Sequence, residues 1–188
     1  TGVIGQPLDI TPIANGIPAL AAGLGAHSDL ACEGIMTTDT VVKEIAFEFT
    51  AGGKTCRIGG IAKGSGMIHP NMATMLVFVT TDCKISAKML QKALSADVED
   101  SFNMVSVDGD TSTNDMVSVL ANGLAGNAEI VAEGADYDEF RKALAAVTQY
   151  LCRRIAGDGE GATKLLECKV SGAKDTATAK TVAKSVIC

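Results

Sequence analysis

Hydrophobic positions along this chain switch between two spacings. From Val41 onward they alternate with polar ones, Ile45, Phe47 and Phe49 on one side against Glu44, Glu48 and Thr50 on the other. That period of two predicts a half-buried strand. Gly52-Gly53 predicts a hairpin turn into a second strand over Lys54 to Ile61, because adjacent glycines tolerate the positive φ of tight two-residue turns. Thr74 to Thr81 is a continuous apolar run closed by Asp82, which predicts a strand buried on both faces. Met104 to Val107, Met116 to Leu120 and Leu165 to Val170 are three further predicted strands.

Helical spacing takes over at Met89, Leu90, Ala93, Leu94 and Val98, with Ser86 placed to cap the first turn. It returns as the stripe Phe140, Leu144, Val147, Leu151 and Ile155, with Asp136 or Asp138 as the expected cap. Thr176 to Ile187 predicts a last helix, and Pro18 to Leu24 a short one within the Gly/Pro-punctuated opening 26 residues. Strands interspersed with helices at both ends predict an α/β class, layered or α+β, with no internal repeat.

Composition narrows the partners. At 188 residues, 47% hydrophobic and 20% charged, the chain can bury a real core as one domain or two small ones. Asp and Glu number 22 against 16 Lys and Arg, a net charge of −6, so there is no electrostatic reason to expect nucleic acid or anionic lipid. Twenty glycines, 4% aromatics and no Trp point to tight turns and aliphatic packing rather than base stacking. Cys32, Cys56, Cys83, Cys152, Cys168 and Cys188 form no C-x-x-C pair and lack clustered histidines, so buried free thiols in a reducing compartment are expected. The uncharged stretches Ile10 to Ser28 and Gly64 to Thr81 are broken by Pro12, Pro18, Pro70 and several glycines, and neither predicts a membrane span. Opening on Thr1, the chain is expected to be a processed product or a fragment.

Familiar chemical motifs fail in turn. Gly53-Lys54-Thr55 imitates the end of a P-loop, but Glu48 stands where its first glycine belongs and a strand follows instead of a helix. Asp108-Gly-Asp-Thr-Ser-Thr-Asn-Asp115 begins like a calcium loop, yet its sixth position is Thr113 and its twelfth Val119, so a turn with Asx hydrogen bonds is expected. Gly157-x-Gly159-x-x-Ala162 leaves a helix rather than a strand, unlike a dinucleotide fingerprint. His27 and His69 are the only histidines, and no serine sits in a nucleophile elbow.

What survives is Lys63-Gly-Ser-Gly-Met-Ile-His-Pro-Asn-Met-Ala73-Thr74, a glycine loop and proline corner leading into a hydroxyl at the head of an apolar strand. A Thr hydroxyl needs a base to become a nucleophile, and its own α-amine can be that base if Thr74 becomes a chain terminus. Such an amine has a reference pKa of roughly 7.7 to 8, and burial favours its neutral form. A plain β-branched strand residue is the alternative reading.

At this stretch the sequence resembles the ornithine acetyltransferase, or glutamate N-acetyltransferase, family of arginine biosynthesis. Thr1-Gly-Val-Ile-Gly, Met36-Thr-Thr-Asp39, Gly59-Gly-x-Ala-Lys63-Gly-Ser-Gly-Met, Asn71-Met-Ala-Thr-Met-Leu, Asp108 to Asp115 and Gly159-Glu-Gly-Ala-Thr-Lys164 occur in the family's order across nearly the whole chain. The resemblance implies self-cleavage at Ala73-Thr74 and a self-processing N-terminal-Thr fold. It divides the chain into 1–73, the end of an α piece, and 74–188, the first part of a β piece beginning at the nucleophile. It implies that Thr74 takes an acetyl group from N-acetylornithine, holds it as an acyl-enzyme and passes it to glutamate, with an oxyanion hole at Thr1 and Gly2. Substrate contacts map onto Thr37, Lys63, Thr74 and Glu160, where an ammonium and a carboxylate suit the two charges of an amino acid.

The family further implies α and β pieces that stay associated and pair into a heterotetramer, in the cytoplasm or, in a eukaryote, the mitochondrial matrix. It implies no cofactor, with acetyl-CoA as the alternative acetyl donor of bifunctional members. Its C-terminal part supplies an Asn and a terminal hydroxyl residue that have no counterpart in this sequence, so the piece as written is expected to be incomplete as an enzyme. Three rival expectations stand beside this one: an amidase or aminopeptidase that uses the same Thr74 with water as acceptor, a non-catalytic truncated domain, and Thr1 itself as the nucleophile.

Overall fold

Two successive glycines decide the first long-range pairing. Gly52 and Gly53 adopt φ of 56° and 70°, the left-handed values that a tight hairpin needs and that side chains resist. They join β1 (Lys43–Ala51) to β2 (Lys54–Lys63), paired antiparallel from Ala51↔Lys54 to Lys43↔Ala62. This is a computed structural model, and it describes residues 5–25, 28–68, 75–110 and 112–188. β3 (Leu76–Thr81) adds antiparallel to β2, and β4 (Met116–Ala121) adds parallel to β3, giving one four-stranded sheet in the order β1-β2-β3-β4. A parallel neighbour requires a crossover. Here it is made by a helix over Ala87–Val98 and a 3₁₀ turn over Phe102–Met104.

The five described α-helices are α1 (Thr11–Ala22), α2 (Ser28–Ile35), α3 (Ala87–Val98), α4 (Ala135–Gly157) and α5 (Thr176–Ile187). The stripe Phe140, Leu144, Val147, Leu151 and Ile155 of α4 is fully buried, each side chain contributing about 1.5–3 kcal/mol by leaving water. α4 covers the sheet face that carries Ile45 and Phe49 of β1, Cys56 and Ile58 of β2, and Val77 and Val79 of β3. Phe49 meets Phe140 edge to face, ring centroids 6.0 Å apart. At Gly60 a Cβ would stand 3.0 Å from Val147 and 3.1 Å from Leu151, so the missing side chain is what lets α4 lie this close.

Ser86 caps α3 by accepting the Met89 N–H, and α5 spans the expected residues behind Asp175, which accepts the Thr178 N–H. Other elements depart from expectation. β3 is buried on one face alone: Val77, Val79 and Thr81 are covered, Leu76 and Phe78 are half-buried and Thr80 is exposed. α4 begins behind Gly134 rather than behind Asp136 or Asp138, because Asp136 accepts the Gly52 N–H across the hairpin instead. Residues 104–107 form no strand. Val107 donates a 2.6 Å bond to Ile68 O, but a loop cannot continue the ladder.

Residues 165–170 also form no strand, and no strand among the described residues lies beside them. The first helix is longer than Pro18 to Leu24, since Pro12 in its first turn needs no N–H there and Pro18 removes only one internal bond. Cys32, Cys56, Cys83 and Cys152 are buried as expected, whereas Cys168 is half-buried and Cys188 exposed. No helix among the described residues is long and apolar enough to cross a membrane.

Candidate functional site

β2 ends in a covered lysine that forms no ion pair among the described residues, although its charge is felt by the buried Asp115 carboxyl. Lys63 is 5% exposed, and its Nζ donates to the Thr37 hydroxyl at 3.2 Å. Among the described residues no carboxylate lies within ion-pair distance of it. Strand alternation puts Lys63 on the face opposite Ala62 and α4. Its partner Thr37 comes from the loop between α2 and β1.

Asp39 ties that loop to the end of β2. Its Oδ2 accepts the Thr37 N–H at 3.3 Å, and its Oδ1 accepts the Gly64 N–H and the Lys43 ammonium, both at 2.7 Å. Lys43 heads β1 and reaches on to Asp158 Oδ2 at 2.6 Å. Asp158 follows α4 directly and also accepts the Thr40 N–H at 3.0 Å and the Thr40 hydroxyl. Burial opposes ionisation of both carboxyls. The hydrogen bonds and charge of Lys43, joined by the backbone and hydroxyl donors, outweigh it and hold Asp39 and Asp158 below the usual carboxylate value.

The segment after Lys63 carries the second half of the arrangement. Ser65 O accepts the Glu160 N–H at 2.7 Å, and the Ser65 and Thr38 hydroxyls share a 2.6 Å hydrogen bond. The Glu160 carboxylate lies against Gly66, where a Cβ would come within 2.6 Å of its Cδ. Met67 takes a left-handed φ of 57°, and Asp108 holds the chain there by accepting the Met67 and Ile68 N–H groups at 2.5 and 2.9 Å. Asp108 also accepts the Asp110 N–H at 3.2 Å, the expected Asx turn. Burial pushes the Asp108 carboxyl up, but these backbone donors bring it below its usual value. Beyond the loop, Asp115 accepts the Met75 N–H at 2.7 Å.

Of the residues singled out in the sequence, Thr37 and Lys63 are in direct contact, and Glu160 is anchored two residues beyond Lys63 through Ser65. Thr1, Gly2, His27, His69, Ala73 and Thr74 lie outside the described residues. No role for Lys43 or Asp158 is read from the sequence, and Asp115 enters it only as the end of the Asp108–Asp115 motif. The signal for Lys43 was available: it shares strand parity with Ile45 and Phe49 and is therefore a charge on the apolar face.

Comparison with known proteins gives the chain its relatives. The model of the ArgJ family matches residues 1–188. The chain is 55% identical over 187 residues to the arginine biosynthesis bifunctional protein ArgJ of Symbiobacterium thermophilum, covering 99% of this chain and 46% of that protein. It is 52% identical to the protein of the same name from Bacillus subtilis, covering 100% of this chain and 46% of that one. The crystal structure of arginine biosynthesis bifunctional protein ArgJ from Bacillus halodurans superposes with a TM-score of 0.57 at 51% identity, over 58% of this chain and 52% of that chain. This chain spans about half the length of the curated relatives it matches. With its mixed α/β sheet, its ordered motifs and a match that runs from end to end, the chain belongs to the ArgJ family.

Proposed function

We propose that this chain is part of an N-acyltransferase of arginine biosynthesis that moves an acetyl group from N-acetylornithine to glutamate. The observation that carries the reading is Lys63, a covered ammonium with a hydroxyl beside it and no carboxylate partner among the described residues. A buried charge is costly unless something pairs it, and the carboxylate of an amino-acid substrate would do so. Glu160, exposed at its tip beside Gly66, would take the substrate ammonium.

In this reading the chain divides at Ala73-Thr74, and Thr74 Oγ is the nucleophile. Its freed α-amine takes the hydroxyl proton as Oγ attacks the acetyl carbon of N-acetylornithine. The amide C–N bond breaks, the proton passes to the departing ornithine amine, and an acetyl ester remains on Thr74. The glutamate amine then attacks that ester, and Oγ recovers a proton as N-acetylglutamate leaves. Thr1 and Gly2 would donate to the oxygen of each tetrahedral intermediate, a contribution typically worth about 10²- to 10³-fold in rate. No cofactor enters these steps, and acetyl-CoA would be an alternative donor.

The ladder between β2 and β3 runs from Ile58↔Thr81 to Lys63↔Leu76, so pieces 1–73 and 74–188 would stay joined through the sheet after scission and could assemble further as a heterotetramer in the cytoplasm. The test is to supply the full-length protein with N-acetylornithine, with and without glutamate. The reading expects ornithine release that depends on glutamate and is lost in Thr74→Ala. Release indifferent to glutamate would instead indicate hydrolysis.

A further inference from the structure

Lys43 is a fully buried lysine that the proposed reaction does not use. Its side chain and that of Asp39 are 0% exposed and that of Asp158 is 6% exposed, so no ligand can reach the ammonium. We infer that Lys43 is a positioning residue: clamped between Asp39 and Asp158, it locks the Thr37, Lys63 and Glu160 segments into one frame. The inference rests on the reading above for what that frame serves.

The connections are direct. Asp39 holds the Thr37 N–H on one oxygen and the Gly64 N–H on the other, next to Lys63. Asp158 stands two residues before Glu160 and holds both the N–H and the hydroxyl of Thr40. Every oxygen of the two carboxylates therefore has a donor, and Lys43 at 2.7 and 2.6 Å is what the two share. A network satisfied at each atom is rigid, whereas a half-satisfied one is costly.

Stability alone does not account for such a triad. Taking an ion out of water is costly, and apolar replacements of buried ion clusters are often neutral or stabilising. What an apolar cluster cannot supply is directional bonding to two backbone amides, Thr37 and Gly64, from one carboxylate. Small displacements of binding groups are expensive in turn, since about 1 Å of misplacement can cost 10²-fold.

The experiment uses the full-length protein with Lys43→Met and, as a milder variant that keeps shape, Asp158→Asn. Two readouts are taken: amide hydrogen exchange, and the KM and kcat of acetyl transfer. The expected result is faster exchange at the Thr37 and Gly64 amides, together with a KM for N-acetylornithine raised about 10- to 100-fold and a smaller fall in kcat. Should Lys43→Met fail to fold, Asp158→Asn is expected to move both readouts in the same direction by less. Exchange at Thr37 and Gly64 equal to the parent's, or a KM unchanged while only the melting temperature drops, would overturn the inference. A parent that transfers no acetyl group would sink the reaction instead, and the exchange data would still judge the clamp.

Discussion

One oxygen of Asp115 accepts the Met75 N–H at 2.7 Å, while the other is buried and meets no donor among the described residues. Met75 follows Thr74 in the chain, so this bond fixes the backbone immediately after the proposed junction. Burial raises the Asp115 carboxyl above its usual value, against the Met75 N–H and the charge of Lys63, which both lower it.

That imbalance separates two substitutions. Asp115→Asn keeps an acceptor for Met75 and removes a buried charge, so its stability should equal or exceed the parent's. Asp115→Ala leaves the Met75 N–H without an acceptor and should lose about 1–3 kcal/mol. Urea unfolding of the two variants decides; equal losses in both would remove the bare oxygen as a source of strain.

Acid should act through a different set of groups. Asp39, Asp108 and Asp158 are all held below the usual carboxylate value of 3.8. Their stabilisation is present above that value and is lost as pH falls through the depressed folded ones. The urea midpoint should therefore hold through mildly acidic pH and fall below 3.8. In Lys43→Met, the lysine no longer opposes burial, the folded values of Asp39 and Asp158 rise toward or past the unfolded one, and the loss of stability on acidification should shrink.

Gly66 offers a test of binding with little cost in folding. A Cβ there would meet the Glu160 carboxylate, which is exposed at the tip of a flexible side chain and can swing away. Gly66→Ala should shift stability by no more than about 0.5 kcal/mol yet raise the KM for the amino-acid substrate. Stability and KM moving together would mean that the loop, not the carboxylate, is disturbed.

Gly60 and Leu144 test the packing of α4 on the sheet. Leu144 is fully buried, and Leu144→Ala should cost about 2–5 kcal/mol. Gly60→Ala must push Val147 and Leu151 aside and should cost about 1–3 kcal/mol through overpacking. Calorimetric or urea unfolding measures both.

Elements whose partners are periodic were legible from the chain. The hairpin at Gly52-Gly53 and the α4 stripe depend on local spacing alone, and both form as expected. Residues 104–107 and 165–170 carry apolar spacing too but have no strand beside them among the described residues, and pairing cannot be read from one strand. Thr37, Lys63 and Glu160 were visible because each sits in a short ordered motif. The place of Lys43 on the apolar face is readable from strand parity, but its clamp is not, because Asp158 lies 115 residues away and only the fold brings it there.

The central claim concerns Thr74, and N-terminal mapping of the active full-length protein by mass spectrometry tests it most directly. The account predicts a chain beginning at Thr74, absent in Thr74→Ala along with acetyl transfer. A preparation that transfers acetyl groups while the 73–74 bond stays whole would contradict it.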